Sequence, residues 1–191
     1  MIVNIDIPDR FALLLIRLLL LCRRLRFGYP FRRIPLTQGR YAIVDPDDYT
    51  ALSQYNWRLC KTKGKNTAYA ERSIRKPNLK RWSRVLMHRQ IIPVPHPLVI
   101  DHINGDGLDN RKANLRPATI AQNAWNSRKK TNRSKFKGIW FAKDKNMYRA
   151  AIWTNGKRHY LGSFKTPTQA AKAYDDAAKK LHGHFARTNF K

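Results

Sequence analysis

Residues 99–116 read VIDHINGDGLDNRKANLR. A short apolar run, Val99 and Ile100, delivers Asp101 and His102 to its end, and a glycine-bearing excursion follows before NLRPAT returns as a second extended segment. A helix is expected next, from about Thr119 to Ser127. The order is strand, loop, strand, helix. It brings Asp101 and His102 from the first strand, Asn114 from the start of the second and Asn123 from the helix toward one place, and it sets the class of the region as α+β.

That set of side chains suits phosphodiester hydrolysis, which needs a base to activate water and a cation to neutralise charge on the phosphate and the departing oxygen. An imidazole, with an unperturbed pKa of about 6.5, accepts a proton near neutral pH, so His102 is the candidate base. Asp101 and the amide oxygen of Asn123 are hard oxygen ligands that would leave Mg²⁺ open positions for water and phosphate, and Asn114 is placed to orient the imidazole. A calcium loop built on Asp101, Asp106 and Asp109 is excluded, because the bidentate acid expected at its twelfth position is missing.

Composition agrees with a nucleic-acid partner. The 191 residues carry 39 Lys plus Arg against 12 Asp plus Glu, a formal net charge of +27, and such a surplus attracts polyanions by releasing their condensed counterions. With 42% hydrophobic residues the chain is too apolar to be disordered throughout. Cys22 and Cys60 belong to no CxxC pair, so neither a structural zinc nor a disulfide framework is expected.

Texture divides the chain into four segments: an apolar, then basic helical leader over 1–35, a mixed region over 36–127, a basic linker over 128–134 and a C-terminal module over 135–191. The run FALLLIRLLLL at 11–21 is too short to span a bilayer and carries Arg17 at its centre, so it reads as a docking helix rather than an anchor or a signal remnant. GRYAIVD, WRLCK, TAYAERS and SRVLMH are strand candidates, and DPDDYTALSQY, capped by Asp45 or Asp47, is a short helix. Between 110 and 143 there is no acid at all, which makes Arg128, Lys129 and Lys130 candidates for phosphate contact. Beyond 138, GIWF, MYRAAIW and KRHYLGSF read as a three-stranded meander with Asn155-Gly156 as a hairpin turn. Thr166 and Pro167 then open a helix that Gly183 stops, its buried face drawn through Ala170, Tyr174, Ala177, Ala178 and Leu181, with Asp175 and Asp176 four residues before Lys179 and Lys180.

DHINGDGLDNRKANLRPATIAQN resembles the HNH endonucleases of the His-Me finger, or ββα-metal, class, especially those of mobile introns and phages. In that resemblance Asp101 and Asn123 stand at the metal-ligand positions, His102 at the general-base position and Asn114 at the central Asn. It implies one divalent cation, Mg²⁺ or Mn²⁺, and cleavage leaving a 5′-phosphate and a 3′-hydroxyl.

Residues 134–190, with their LGSF turn, AAKAYDDAA helix and closing ARTNF, resemble the AP2 domain of plant transcription factors. The family's arrangement, a three-stranded antiparallel sheet packed on one helix, implies that Tyr148, Ala150, Ile152 and Phe164 meet the helix, while Lys137, Trp140, Arg149, Trp153, Arg158 and Tyr160 correspond to its DNA-facing sheet. Trp140, Ala151 and Trp153 replace an arginine, a glutamate and another arginine of the plant pattern, so the plant target sequence does not carry over.

The expected protein is an α+β, metal-dependent DNA endonuclease of homing or mobile-element type, targeted by the C-terminal module; the alternative is a non-catalytic DNA-binding transcriptional regulator of AP2 type. Double-stranded DNA is its expected partner, with neither a small-molecule substrate nor a membrane. A monomer or weak dimer is expected, in the cytoplasm with the nucleoid and not secreted.

Overall fold

The computed structural model describes residues 9–61, 67–75, 82–127 and 135–190. The linker candidates Arg128, Lys129 and Lys130 lie outside the described residues. By contact the chain forms two compact units: residues 1–93 with 106–115, and residues 94–105 with 116–191.

The first unit begins with α1, Asp9–Phe27, whose Ala12, Ile16, Leu20 and Arg23 are its less exposed side chains. Strands β1, Arg32–Pro35, and β2, Tyr41–Val44, pair antiparallel through a turn at Thr37–Gly39. Helix α2, Pro46–Ser53, follows with Pro46 in its first turn and Asp45 at the capping position. The Asp45 carboxylate does not cap the helix. It accepts the backbone N–H of Lys112 at 2.7 Å instead, and Lys112 Nζ reaches Asp48 at 2.7 Å, so these acids tie the 106–115 loop down.

A second antiparallel sheet runs β3, Arg58–Lys61, then β4, Ala68–Arg75, then β5, Trp82–Leu86. The SRVLMH strand candidate stops at Leu86, because Met87–Ile91 turns into helix α3 and buries Met87 and His88. The core of this unit gathers Ile34, Val44, Leu52, Trp57, Ala70, Met87 and Leu108. Ile43 takes part in a parallel bridge with Asp109, donating to the Leu108 carbonyl at 2.9 Å while its own carbonyl accepts from Asn110 at 2.8 Å. Gly107 sits so close to Tyr69 and the Ala68 carbonyl that a Cβ there would fall 2.4 Å from that oxygen.

The second unit holds strand β6, Val99–His102, the part of its partner β7, Leu115–Ala118, that follows Leu115, and the short helix α4, Ile120–Trp125. Thr119 and Gln122 close a reciprocal capping box at the start of α4, the Thr119 hydroxyl accepting from the Gln122 N–H and the Gln122 amide oxygen accepting from the Thr119 N–H. A three-stranded antiparallel sheet then runs in the order β10, β9, β8, where β8 is Ile139–Ala142, β9 Met147–Thr154 and β10 Lys157–Phe164. Asn155 and Gly156 both take positive φ, 50° and 74°, as a tight twisted hairpin requires.

Helix α5, Pro167–His182, packs Ala170, Ala171, Tyr174 and Ala178 on one face of this sheet, against Ile139, Tyr148, Ala150, Ile152 and Phe164. The buried face is turned from the one expected: Leu181 is 42% exposed, while Asp175 and His182 are buried. The cause is the chain end. Asp175 accepts from the backbone N–H groups of Asn189 and Phe190 and from the Asn189 amide, at 2.7–2.9 Å, and is drawn inward rather than toward Lys179.

Candidate functional site

Strand β6 ends in two buried polar residues, Asp101 and His102, at 3% and 5% exposure. Burying a carboxylate demands compensation, and the second unit supplies it from two places. Arg116, one residue into β7, donates from Nε to Asp101 Oδ2 at 2.8 Å, and its Nη2 lies 2.7 Å from the same oxygen. Asn126, just past α4, sets its Nδ2 at 2.9 Å from Oδ1 and 3.1 Å from Oδ2. The same nitrogen lies 2.9 Å from the His102 carbonyl and 3.2 Å from that of Ile103. The loop then turns back through a hydrogen bond from the Gly105 N–H to the His102 carbonyl at 2.8 Å, with Gly105 at φ +77°, where a glycine is the ready choice.

The other sequence candidates are placed as follows. Asn123 is exposed on α4, with its backbone N–H on the Thr119 carbonyl at 3.0 Å. It precedes Asn126 by three residues, so the two share a side of that turn. Asn114 lies in the first unit, buried, and its Nδ2 donates to the Asp109 carbonyl at 2.8 Å. Asp109 is itself held by Arg111 at 2.8 and 2.6 Å, and the Arg111 guanidinium lies 3.3 Å over Tyr29. Among the described residues no group of three or more His, Cys, Asp or Glu side chains is arranged to hold a metal ion.

Sequence reasoning missed Arg116 and Asn126. The signal for Asn126 was its spacing of three from Asn123. For Arg116 it was the alternation of β7, whose register against β6 no local pattern reveals.

The open face of the three-stranded sheet carries the candidate DNA contacts. Strand pairing sets Trp140 opposite Arg149, Arg158 opposite Trp153 and Tyr160 opposite Ala151. The Arg158 guanidinium lies 4.4 Å over the Trp140 ring, Arg149 pairs with Asp144 at 3.1 Å, and the Tyr160 and Ser163 hydroxyls are 2.6 Å apart. Trp153 and Tyr160 stand 60% and 59% exposed. Lys137 differs from the rest: its ammonium donates to the Trp125 carbonyl, and burial, followed by the nearby Arg187 charge, pulls its pKa down from 10.5 to about 8.

Lys137 belongs to a seam within the second unit that joins the β6–β7–α4 finger to the end of α5. Trp125 stacks on His182 with ring centroids 4.3 Å apart and planes 5° from parallel, and His182 Nε2 donates to the Trp153 carbonyl at 2.9 Å. Arg116 Nη1 donates to the His184 carbonyl at 2.7 Å, with its guanidinium 3.9 Å over Phe185. Burial lowers the His182 pKa, the Trp153 carbonyl opposes that shift, and Lys137 adds to it.

The sequence profile described as HNH endonuclease matches residues 93–125, the stretch that contains the buried Asp101–His102 pair. The chain is similar to an uncharacterized HNH endonuclease of Acanthamoeba polyphaga mimivirus, 31% identical over 152 residues that cover 80% of this chain and 76% of that one. It is also similar to Protein 3.8 of Escherichia phage T7, 36% identical over 96 residues, which cover 50% of this chain and 78% of the phage protein. A third similarity, consistent with a fused AP2 domain, is to an ethylene-responsive transcription factor of Medicago truncatula, 38% identical over 85 residues, 44% of this chain and 27% of that factor. No solved structure matches the chain.

Proposed function

The chain belongs to the HNH endonuclease family, and from that premise we propose that it hydrolyses phosphodiester bonds of double-stranded DNA with a divalent cation, Mg²⁺ or Mn²⁺, and with His102 as general base. The observation that carries this reading is the buried Asp101–His102 pair at the end of β6, with its carboxylate fixed by Arg116 and Asn126. A side chain held by three donors loses little further freedom when it acts, which is the pre-organisation catalysis rewards.

The donor set suits a hard cation. Asp101 offers a carboxylate and Asn123 an exposed amide, and a magnesium-type ion keeps several waters and shares substrate phosphate rather than requiring an all-protein cage. When bound, such an ion neutralises charge on the phosphate and on the departing oxygen. The residues do the remainder. His102 takes a proton from the attacking water, the new P–O bond forms in line as the bond to the 3′ oxygen breaks, and a 5′-phosphate and a 3′-hydroxyl result.

Positioning on duplex DNA falls to the exposed sheet. Arg149 and Arg158 are suited to phosphate or guanine, and Trp140, Trp153 and Tyr160 offer apolar contact, with Arg128, Lys129 and Lys130 adding backbone charge. Lys137 joins them only if its amine leaves the Trp125 carbonyl. We read the protein as a monomer or weak dimer working on nucleoid DNA.

The test is nicking of supercoiled plasmid, and of DNA from the natural locus, with Mg²⁺ or Mn²⁺. Cutting that needs the ion and falls by about 10²–10⁴-fold in His102→Ala is the expected result. Binding without metal-dependent cutting on any DNA would leave the AP2-type regulator as the better reading.

A further inference from the structure

Arg116 uses all three of its guanidinium nitrogens. Nε and Nη2 engage Asp101 Oδ2 at 2.8 and 2.7 Å, Nη1 donates to the His184 carbonyl at 2.7 Å, and the flat cation lies 3.9 Å over the Phe185 ring. Its side chain is 17% exposed and that of Asp101 is 4%. A planar fork satisfied on both edges and on one face does not swing aside without breaking several contacts at once.

The electrostatic result is specific. One negative charge on Asp101 is matched by one positive charge on Arg116, and the third partner, Asn126, is neutral. Any cation approaching Asp101 Oδ1 therefore meets a group whose charge is already compensated and a guanidinium a few ångströms behind it. In a partly buried site that repulsion is weakly screened. Nothing else among the described His, Cys, Asp and Glu residues forms a cluster to offset it. A DNA phosphate does offset it, because it brings its own negative charge to the same ion.

We infer that Arg116, clamped by the turn at Gly183–Phe185, acts as a charge gate that keeps divalent-cation affinity low in the free protein and makes loading of the Asp101 site depend on bound DNA. Arg116 is a positioning residue in this account, since it acts through Asp101. The inference rests on the reading of Asp101 as a metal ligand.

Mn²⁺ titration followed by electron paramagnetic resonance tests it on the full chain, without DNA and with a duplex in a His102→Ala background that does not cut. Arg116→Gln should bind Mn²⁺ about tenfold tighter than the parent without DNA, and the gap should shrink when the duplex is added. Arg116→Lys keeps the charge and should stay within about threefold of the parent, and Phe185→Ala, which loosens the clamp, should tighten Mn²⁺ by a smaller factor in the same direction. A purely architectural role gives the opposite sign, weaker Mn²⁺ in Arg116→Gln, and that result or no change overturns the gate. If Arg116→Gln does not fold by circular dichroism, Phe185→Ala decides: unchanged or weaker Mn²⁺ overturns the inference. Asp101→Ala separates the two levels, since Mn²⁺ binding that survives it removes Asp101 as a ligand, while binding that it abolishes leaves that reading intact whatever Arg116 does.

Discussion

One amide nitrogen, Asn126 Nδ2, lies within 3.2 Å of four acceptors: both oxygens of Asp101 and the carbonyls of His102 and Ile103. Four acceptors crowd two hydrogens, so the site depends on that residue being a donor. Asn126→Asp exchanges the donor for a second carboxylate against Asp101 in a buried setting. It should cost about 3 kcal/mol of unfolding free energy in urea at pH 7, with a smaller loss near pH 4 where a carboxyl takes up a proton. Lys137 gives a contrasting case, set by its solvation. Its pKa falls from 10.5 in an exposed chain to about 8 when folded, chiefly through burial and then through Arg187. Between those values the unfolded chain binds more protons, so stability rises with pH from about 8 to 10.5, and below 8 the cost of holding the charged amine is fully present. Relative to Lys137→Met, the parent should gain on the order of 3 kcal/mol or less across that window in denaturant titrations at stepped pH.

At the scale of elements, the sheet and α5 meet so closely that Gly138 admits nothing larger. Its φ is +76°, and a Cβ there would lie 2.1 Å from the Tyr174 ring and 2.9 Å from the Ala151 carbonyl. Gly138→Ala combines strain with overlap and should lower stability by about 3 kcal/mol or more, read as a drop in Tm. These elements were legible because their signals are local. Asn155-Gly156 specifies its hairpin, Thr166-Pro167 starts α5, and alternation assigns Ala150 and Ile152 to the helix-facing side. What eluded the sequence is non-local. The buried face of α5 turns toward Asp175 because Asn189 and Phe190 return to it, and Asp45 abandons its cap for the Lys112 backbone. Arg116 is hidden in the same way: its three partners, Asp101, His184 and Phe185, come from distant parts of the sequence.

For the molecule as a whole, the net charge of +27 sets the response to salt. If the sheet and the basic segments neutralise six to ten phosphates, affinity for duplex DNA should fall by about 10³-fold or more between 50 and 200 mM salt in anisotropy titrations, with a linear log–log plot. The division into units was not legible: the chain enters the second unit at 94, leaves it for 106–115 and returns at 116, so that DHING lies in the second unit while NLRPAT is cut after Leu115 by a partition that composition does not mark. The seam inside the second unit also has an optical consequence. Indole emission is quenched when a stacked imidazole becomes cationic, and Trp125 lies 4.3 Å from His182, whose protonation burial has moved to lower pH. Acidification should therefore dim one of the protein's five tryptophans below the range in which free histidine titrates, so the protein carries its own fluorescent gauge of whether the finger remains seated on the end of α5.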